Sequence, residues 1–120
     1  MKVFFDGGCR PNPGAMEIAV VAGGRATIRR DLGHGTRADA EWLALIEALR
    51  IGQSLDTDFI LIGDAADVVG KANGTMKCRA DDRRHLEAFR ALAAPNPPRI
   101  RHIKRTQNLA GIALARLHGR

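Results

Sequence analysis

Met16-Glu17-Ile18-Ala19-Val20-Val21-Ala22-Gly23-Gly24-Arg25-Ala26-Thr27-Ile28-Arg29-Arg30-Asp31-Leu32 reads as two strands folded back on one another, Met16–Ala22 and Arg25–Leu32. Val, Ile and Thr suit the pleated strand because their branched Cβ packs well on its surface. Gly23-Gly24 is the dipeptide a two-residue hairpin favours, since it tolerates positive φ. Toward the N-terminus, the apolar run Lys2–Asp6 predicts a buried strand. Toward the C-terminus, residues 36–54 predict an amphipathic helix. Thr36 can cap its start, with Asp39 three positions later completing a capping-box-like pair. Trp42, Leu45, Ile46 and Leu49 then fall at i, i+3, i+4 and i+7, one apolar stripe. Glu47 falls on the opposite face, where solvation is expected.

The rest of the chain alternates helix and strand. Phe59–Gly63 predicts a second buried strand ending at Asp64, and Asp64–Ala72 a short helix closed by Asn73-Gly74. Arg79–Ala94 predicts a helix with Leu86, Phe89, Leu92 and Ala93 on one side. Pro95-Asn96-Pro97-Pro98 must end it, because proline lacks an N–H and restricts its predecessor. Arg99–Arg105 reads as a last strand and residues 107–118 as a closing helix with Leu109, Ile112, Ala113 and Leu117 inward. The expected fold class is α/β: residues 1–120 as a single domain with a five-stranded mixed sheet, three antiparallel strands then parallel ones, and helices on it.

Composition narrows the function classes. A chain of 120 residues, 45% hydrophobic, suits one compact domain and excludes a disordered tail. Its apolar runs are too short for a membrane span, and no signal-peptide pattern opens it. Two cysteines, Cys9 and Cys78, favour a reducing compartment, and a cytoplasmic location is expected. With one Trp, four Phe and no Tyr, a binder that stacks bases on an aromatic platform is disfavoured. The net charge of +6 is unevenly spread: residues 1–70 carry −3 and residues 71–105 carry +7. That split suits a metal-dependent enzyme acting on a polyanion, and equally a solvated surface with a charge gradient.

Three acids stand out. Asp6 ends the Val3-Phe4-Phe5 run, and Asp64 follows Phe59-Ile60-Leu61-Ile62-Gly63, a strand end of the kind where β-α-β sheets bind ligands. Glu41, one residue before Trp42, borders the apolar stripe and leans toward the sheet. Converging buried carboxylates repel one another unless a cation holds them, and hard oxygen ligands suit Mg2+ or Mn2+. Spacing alone leaves open that the three are independent acids. His34, His85, His102 and His118 show no metal spacing and are expected at the surface. Lys71, Lys77, Arg79, Arg83 and Arg84 form a basic cluster, either a solvated face or a set of phosphate contacts.

Asp6-Gly7-Gly8-Cys9-Arg10-Pro11-Asn12-Pro13-Gly14 resembles the opening motif of type 1 ribonuclease H. Thr36 through Leu49, with Ala40-Glu41, resembles that family's first helix and its catalytic Glu. Phe59–Val69 resembles its third motif, and Arg105-Thr106-Gln107-Asn108 leading to Leu114-Ala115 resembles the Arg-x-x-Asn…Leu-Ala ending of many members. The resemblance spans nearly the whole chain. It implies a ribonuclease H-like fold and two-metal hydrolysis of the RNA strand of an RNA–DNA hybrid, using Mg2+ or Mn2+. By position, Asp6, Glu41 and Asp64 would be the catalytic and metal-binding residues. Cys9 and Asn12 match positions that contact the hybrid at the ribose 2′-hydroxyl. Thr36, Lys71, Lys77 and Arg79 join them as expected substrate contacts. The expected partner is an RNA–DNA hybrid or other nucleic acid, with no membrane and no obligate protein partner indicated.

The chain also departs from the pattern. Ile112 stands where the family usually carries a fourth carboxylate, Arg37-Ala38 replaces an Asn pair, and Ala65 replaces a hydroxyl residue. Lys104-Arg105-Thr106 occupies the strand end where some members place a mobile His. Two readings follow: a metal-dependent nuclease, or a nucleic-acid-binding module whose catalysis is weak or lost at Ile112.

Overall fold

The computed structural model describes residues 1–119. In chain order it contains β1 (Lys2–Arg10), β2 (Gly14–Ala22), β3 (Arg25–Arg29), β4 (His34–Gly35), α1 (Arg37–Ser54), β5 (Ile60–Gly63), α2 (Ala66–Asn73), α3 (Ala80–Ala93), β6 (Arg99–His102), a 3-10 turn at Arg105–Gln107, and α4 (Leu109–Leu117). The sheet runs β3-β2-β1-β5-β6, with β4 pairing β2 off this path. β1, β2 and β3 are antiparallel, while β5 and β6 continue from β1 in parallel. This is the mixed α/β sheet expected from the sequence, with one short strand more. β4 pairs only His34 with Ala15 and Gly35 with Gly14. Two residues are too few for a periodic pattern to reveal a strand.

Gly23 and Gly24 have φ of 57° and 77°, and Ala22 faces Arg25 across them. The hairpin therefore uses the positive φ that only glycine supplies cheaply at both positions. β1 is longer than its apolar run. It continues through Asp6 to Arg10 because β2 supplies ladder partners as far as Ala15. Asp6 is thus mid-strand rather than at a strand end. Alternation places Val3, Phe5, Gly7 and Cys9 on one face and Phe4, Asp6, Gly8 and Arg10 on the other.

Helices α1, α2 and α3 cover the first face. Val3, Phe5, Trp42, Leu45, Leu49, Leu61, Val68 and Phe89 form the main core there. The predicted stripe of α1 is buried throughout, and its capping box forms: Asp39 N–H donates to Thr36 Oγ1 at 3.1 Å, and Thr36 N–H to Asp39 Oδ2 at 3.0 Å. α4 alone covers the second face, packing Ala110 and Leu114 on Ala19 and Val21. No helix among the described residues is long and apolar enough to cross a membrane.

Further expectations are corrected: the last strand, expected over Arg99–Arg105, stops at His102, where its pairing with β5 ends. Leu109, Ile112 and Leu117 are 47%, 38% and 39% exposed, so the inward side of α4 is Ala110 and Leu114 instead. The helix is apolar nearly all round, which leaves its phase to anchoring at Asn108 rather than to periodicity. His85 is buried, 2.8 Å from Asp39 and stacked on Trp42, because α3 packs across the start of α1. Glu47 is largely covered, since Arg29 of β3 reaches it at 3.5 Å and Arg50 at 3.6 Å. Finally, α2 begins at Ala66, which leaves Asp64 in the loop after β5.

Candidate active site

Asp6 reaches the cleft from the middle of β1, Asp64 from the residue after β5, and Glu41 from near the start of α1. Gly7 permits this approach. A Cβ there would overlap the Ala40 carbonyl, so α1 can lie close enough on β1 to bring Glu41 within electrostatic reach of Asp6. Asp6 and Asp64 face the same small volume at the first turn of α4. A Cβ on Gly111 would stand 3.5 Å from Asp6 Oδ2 and 3.7 Å from Asp64 Oδ2.

Asn108, fully buried, caps α4 and ties it to the acids. Its Nδ2 donates to Asp64 Oδ2 at 2.8 Å and to the Phe5 carbonyl at 3.0 Å, while its Oδ1 accepts from Ala110 N–H at 3.1 Å. All of the side chain's strong bonding groups are thereby engaged, as burial requires.

Burial, then the neighbouring Asp64 charge, pushes the Asp6 carboxyl up to about 7, against the opposing pull of Arg105, the Gly7 N–H and Arg37. Glu41 is likewise pushed up to about 7 by burial and by Asp6 and Asp64, with Arg37 opposing. Desolvated like charges favour the protonated form, and groups perturbed this way cluster at functional sites.

The cleft around these acids has a volume of about 300 Å³. Cys9 lines it, although its thiol is turned to the carbonyls of Pro11 and Gly35 at 3.1 and 3.0 Å. Asn12 accepts the Arg37 N–H at 3.0 Å, which pins the β1–β2 turn to the start of α1, and the Thr36 hydroxyl is occupied as the helix cap. Lys71 is held by Asp82 at 2.6 Å, and neither it nor the exposed Lys77 and Arg79 lines the cleft. Ile112 does line it, from an exposed position.

The cleft also contains three cations that are not among the expected substrate contacts: Arg10, Arg37 and Arg105. Two had a local signal. Arg37 and Glu41 are four apart on α1, hence on one side of it. Arg10 is four beyond Asp6 on β1, hence on the same face. Arg105 opens the Arg-x-x-Asn ending, and the pairing of β6 with β5 carries it to the Asp64 end of the cleft. Glu17, on β2 opposite Gly8, completes one wall and is engaged by His118 and, at 3.6 Å, by Arg30.

No protein-family model and no curated protein sequence matches the chain. Solved structures do. RNase H1 from the halophilic archaeon Halobacterium salinarum is 29% identical with a TM-score of 0.81, covering 94% of this chain and 92% of that one. The chain is similar to the type 1 ribonucleases H. A ribonuclease H1 isolated from compost by a metagenomic approach is similar in fold at 24% identity and a TM-score of 0.78, over 94% of this chain and 90% of the other. So is the N-terminal ribonuclease H domain of a Mycobacterium tuberculosis protein, at 24% identity and a TM-score of 0.76, over 98% and 96%. The same compost ribonuclease H1, solved in complex with an RNA/DNA hybrid, matches in fold at 20% identity and a TM-score of 0.76, over 94% and 91%. The mixed sheet with its four helices is thus the ribonuclease H fold.

Proposed function

We propose that the chain is a metal-dependent endonuclease that hydrolyses the RNA strand of RNA–DNA hybrids. The observation that carries this reading is the meeting of Asp6 and Asp64 at one small volume beside Glu41, with Asp6 and Glu41 pushed up to about 7. The relationship to type 1 ribonucleases H supports the choice of reaction.

The donor set fits Mg2+ or Mn2+. Its atoms are hard oxygens, and their mutual repulsion is what a divalent cation relieves. Among the described residues no three His, Cys, Asp or Glu side chains stand at shared ligand distance, so the fit rests on the Asp6–Asp64 pair with Glu41 as neighbour. Mg2+ commonly takes only one or two carboxylates, leaving its other positions to water and substrate phosphate. In the two-ion reading, the ions would supply water activation and charge stabilisation at the leaving 3′-oxygen. Asn108 holds Asp64 in one orientation, and Gly7 keeps Glu41 close to Asp6. Cys9, near the end of β1, and Asn12, in the turn that follows, are assigned the ribose 2′-hydroxyl contact by the family resemblance.

A second reading is favoured by Ile112, an apolar side chain on the cleft wall: a hybrid-binding module with weak or lost catalysis. Incubating a labelled RNA–DNA hybrid with the protein in Mg2+ and then Mn2+ separates the two. Cleavage that disappears in Asp64→Asn supports the nuclease. Binding without cleavage in either metal supports the module, and undiminished cleavage by Asp64→Asn overturns the assignment of the site.

A further inference from the structure

We propose that Arg37, flanked by Arg10 and Arg105, is the phosphate-binding residue of the cleft, contacting a non-bridging oxygen of the nucleic-acid backbone beside the carboxylates. This deepens the nuclease reading and rests on it. Lys77 and Arg79, the residues that charge clustering nominated, lie outside the cleft, whereas these three arginines line it.

The position of Arg37 is costly in two ways. It is the first residue of α1, where a cation opposes the helix dipole. It also stands within electrostatic reach of Asp6 and Glu41, where its charge works against a bound divalent cation. The simplest alternative is a counter-ion for those acids. Yet among the described residues the ion pairs within 4.0 Å engage Arg29, Arg30, Arg50, Lys71, Arg84, His85 and His118, and Arg37 is in none. Its exposed side chain therefore remains available, while Asn12 pins its backbone.

A guanidinium cannot ligate a metal, so a cation kept in a cation-binding cleft is explained by an anion that arrives there. A phosphodiester meets both demands: one oxygen can serve the metal positions that Asp6 and Asp64 leave open, and another can take the planar N–H fork of Arg37. The helix start reinforces this, since its dipole favours the same negative charge. Arg10 and Arg105, reaching the cleft from β1 and from beyond β6, extend the cationic rim along a backbone of successive phosphates.

The test is binding of a fluorescently labelled RNA–DNA hybrid in Mg2+ across a salt series, in an Asp64→Asn background where the substrate should stay intact. Arg37→Gln should weaken binding about tenfold at low salt and reduce the slope of log affinity against log salt by about one. Arg37→Lys should recover the slope, whereas Lys77→Gln and Arg79→Gln should leave affinity and slope near the parent's. An unchanged slope in Arg37→Gln, or equal losses in Lys77→Gln and Arg79→Gln, overturns the inference while the nuclease reading stands. If the parent does not bind hybrid and the wild-type chain does not cleave it, both fall together.

Discussion

Asn108 and Asp64, 44 positions apart in the chain, are joined by a 2.8 Å hydrogen bond from the amide Nδ2 to the carboxylate Oδ2. The same amide group holds the Phe5 carbonyl of the neighbouring strand. One buried side chain therefore sets the phase of α4, joins it to β1 and orients an acid of the cleft. Asn108→Ala would leave buried groups unpaired and is expected to destabilise the fold by about 2–3 kcal/mol. It should also lower hybrid cleavage by about 10–100-fold through loss of Asp64 orientation. Urea melts and kcat/KM measured on folded protein check the two effects separately.

Gly7→Ala tests whether Glu41 owes its position to close packing of α1 on β1. The added methyl meets backbone atoms of Ala40 and Glu41, which cannot rotate away. A loss of about 3 kcal/mol is expected, comparable to overpacking in a core, with cleavage reduced further than the fraction of folded protein explains. A variant as stable and active as the parent would show that the contact does not constrain α1.

The pH dependence of stability has a definite sign. Asp6 and Glu41 are pushed up to about 7 from ordinary values of 3.8 and 4.5. A folded chain that holds these protons more tightly than the unfolded chain gains most below the ordinary values. That contribution is lost as pH rises toward about 7. Without divalent ions, Asp6→Asn and Glu41→Gln should therefore melt a few degrees above the wild type near pH 8, and the difference should shrink toward pH 5. Thermal melts of the three proteins across that range decide it, and added Mg2+ should stabilise the wild type most.

Ile112→Asp places an acid on the cleft wall at a residue already 38% exposed. Its cost to the fold should therefore be small, about 1 kcal/mol or less, because the carboxylate keeps contact with water. Divalent-ion affinity measured by calorimetry should rise, and cleavage with it. Unchanged affinity would mean that position 112 faces away from the ions.

Much of the fold was legible in local patterns. Gly23-Gly24 marks the hairpin because few residues accept positive φ, and the Trp42-Leu45-Ile46-Leu49 stripe marks α1 because its period matches the helix. Asp6 and Asp64 were singled out because a charge attached to a buried apolar run is conspicuous. β4, with two residues, carries no period to read.

Patterns of this kind state which side of an element is apolar, but not which element covers it. His85 reads as a surface residue in sequence, since nothing near it there reveals Asp39 and Trp42 as its neighbours. α4, apolar almost all round, could not reveal its own phase, which follows from an Asn108 bond to Phe5 across 103 positions. Local pattern sufficed for most of the strands and helices and for the acids worth watching, because those depend on local conformational preference. Tertiary structure alone decided that Arg10, Arg37 and Arg105 share one cleft with Asp6, Glu41 and Asp64, because strand pairing and helix packing bring together side chains from distant parts of the chain.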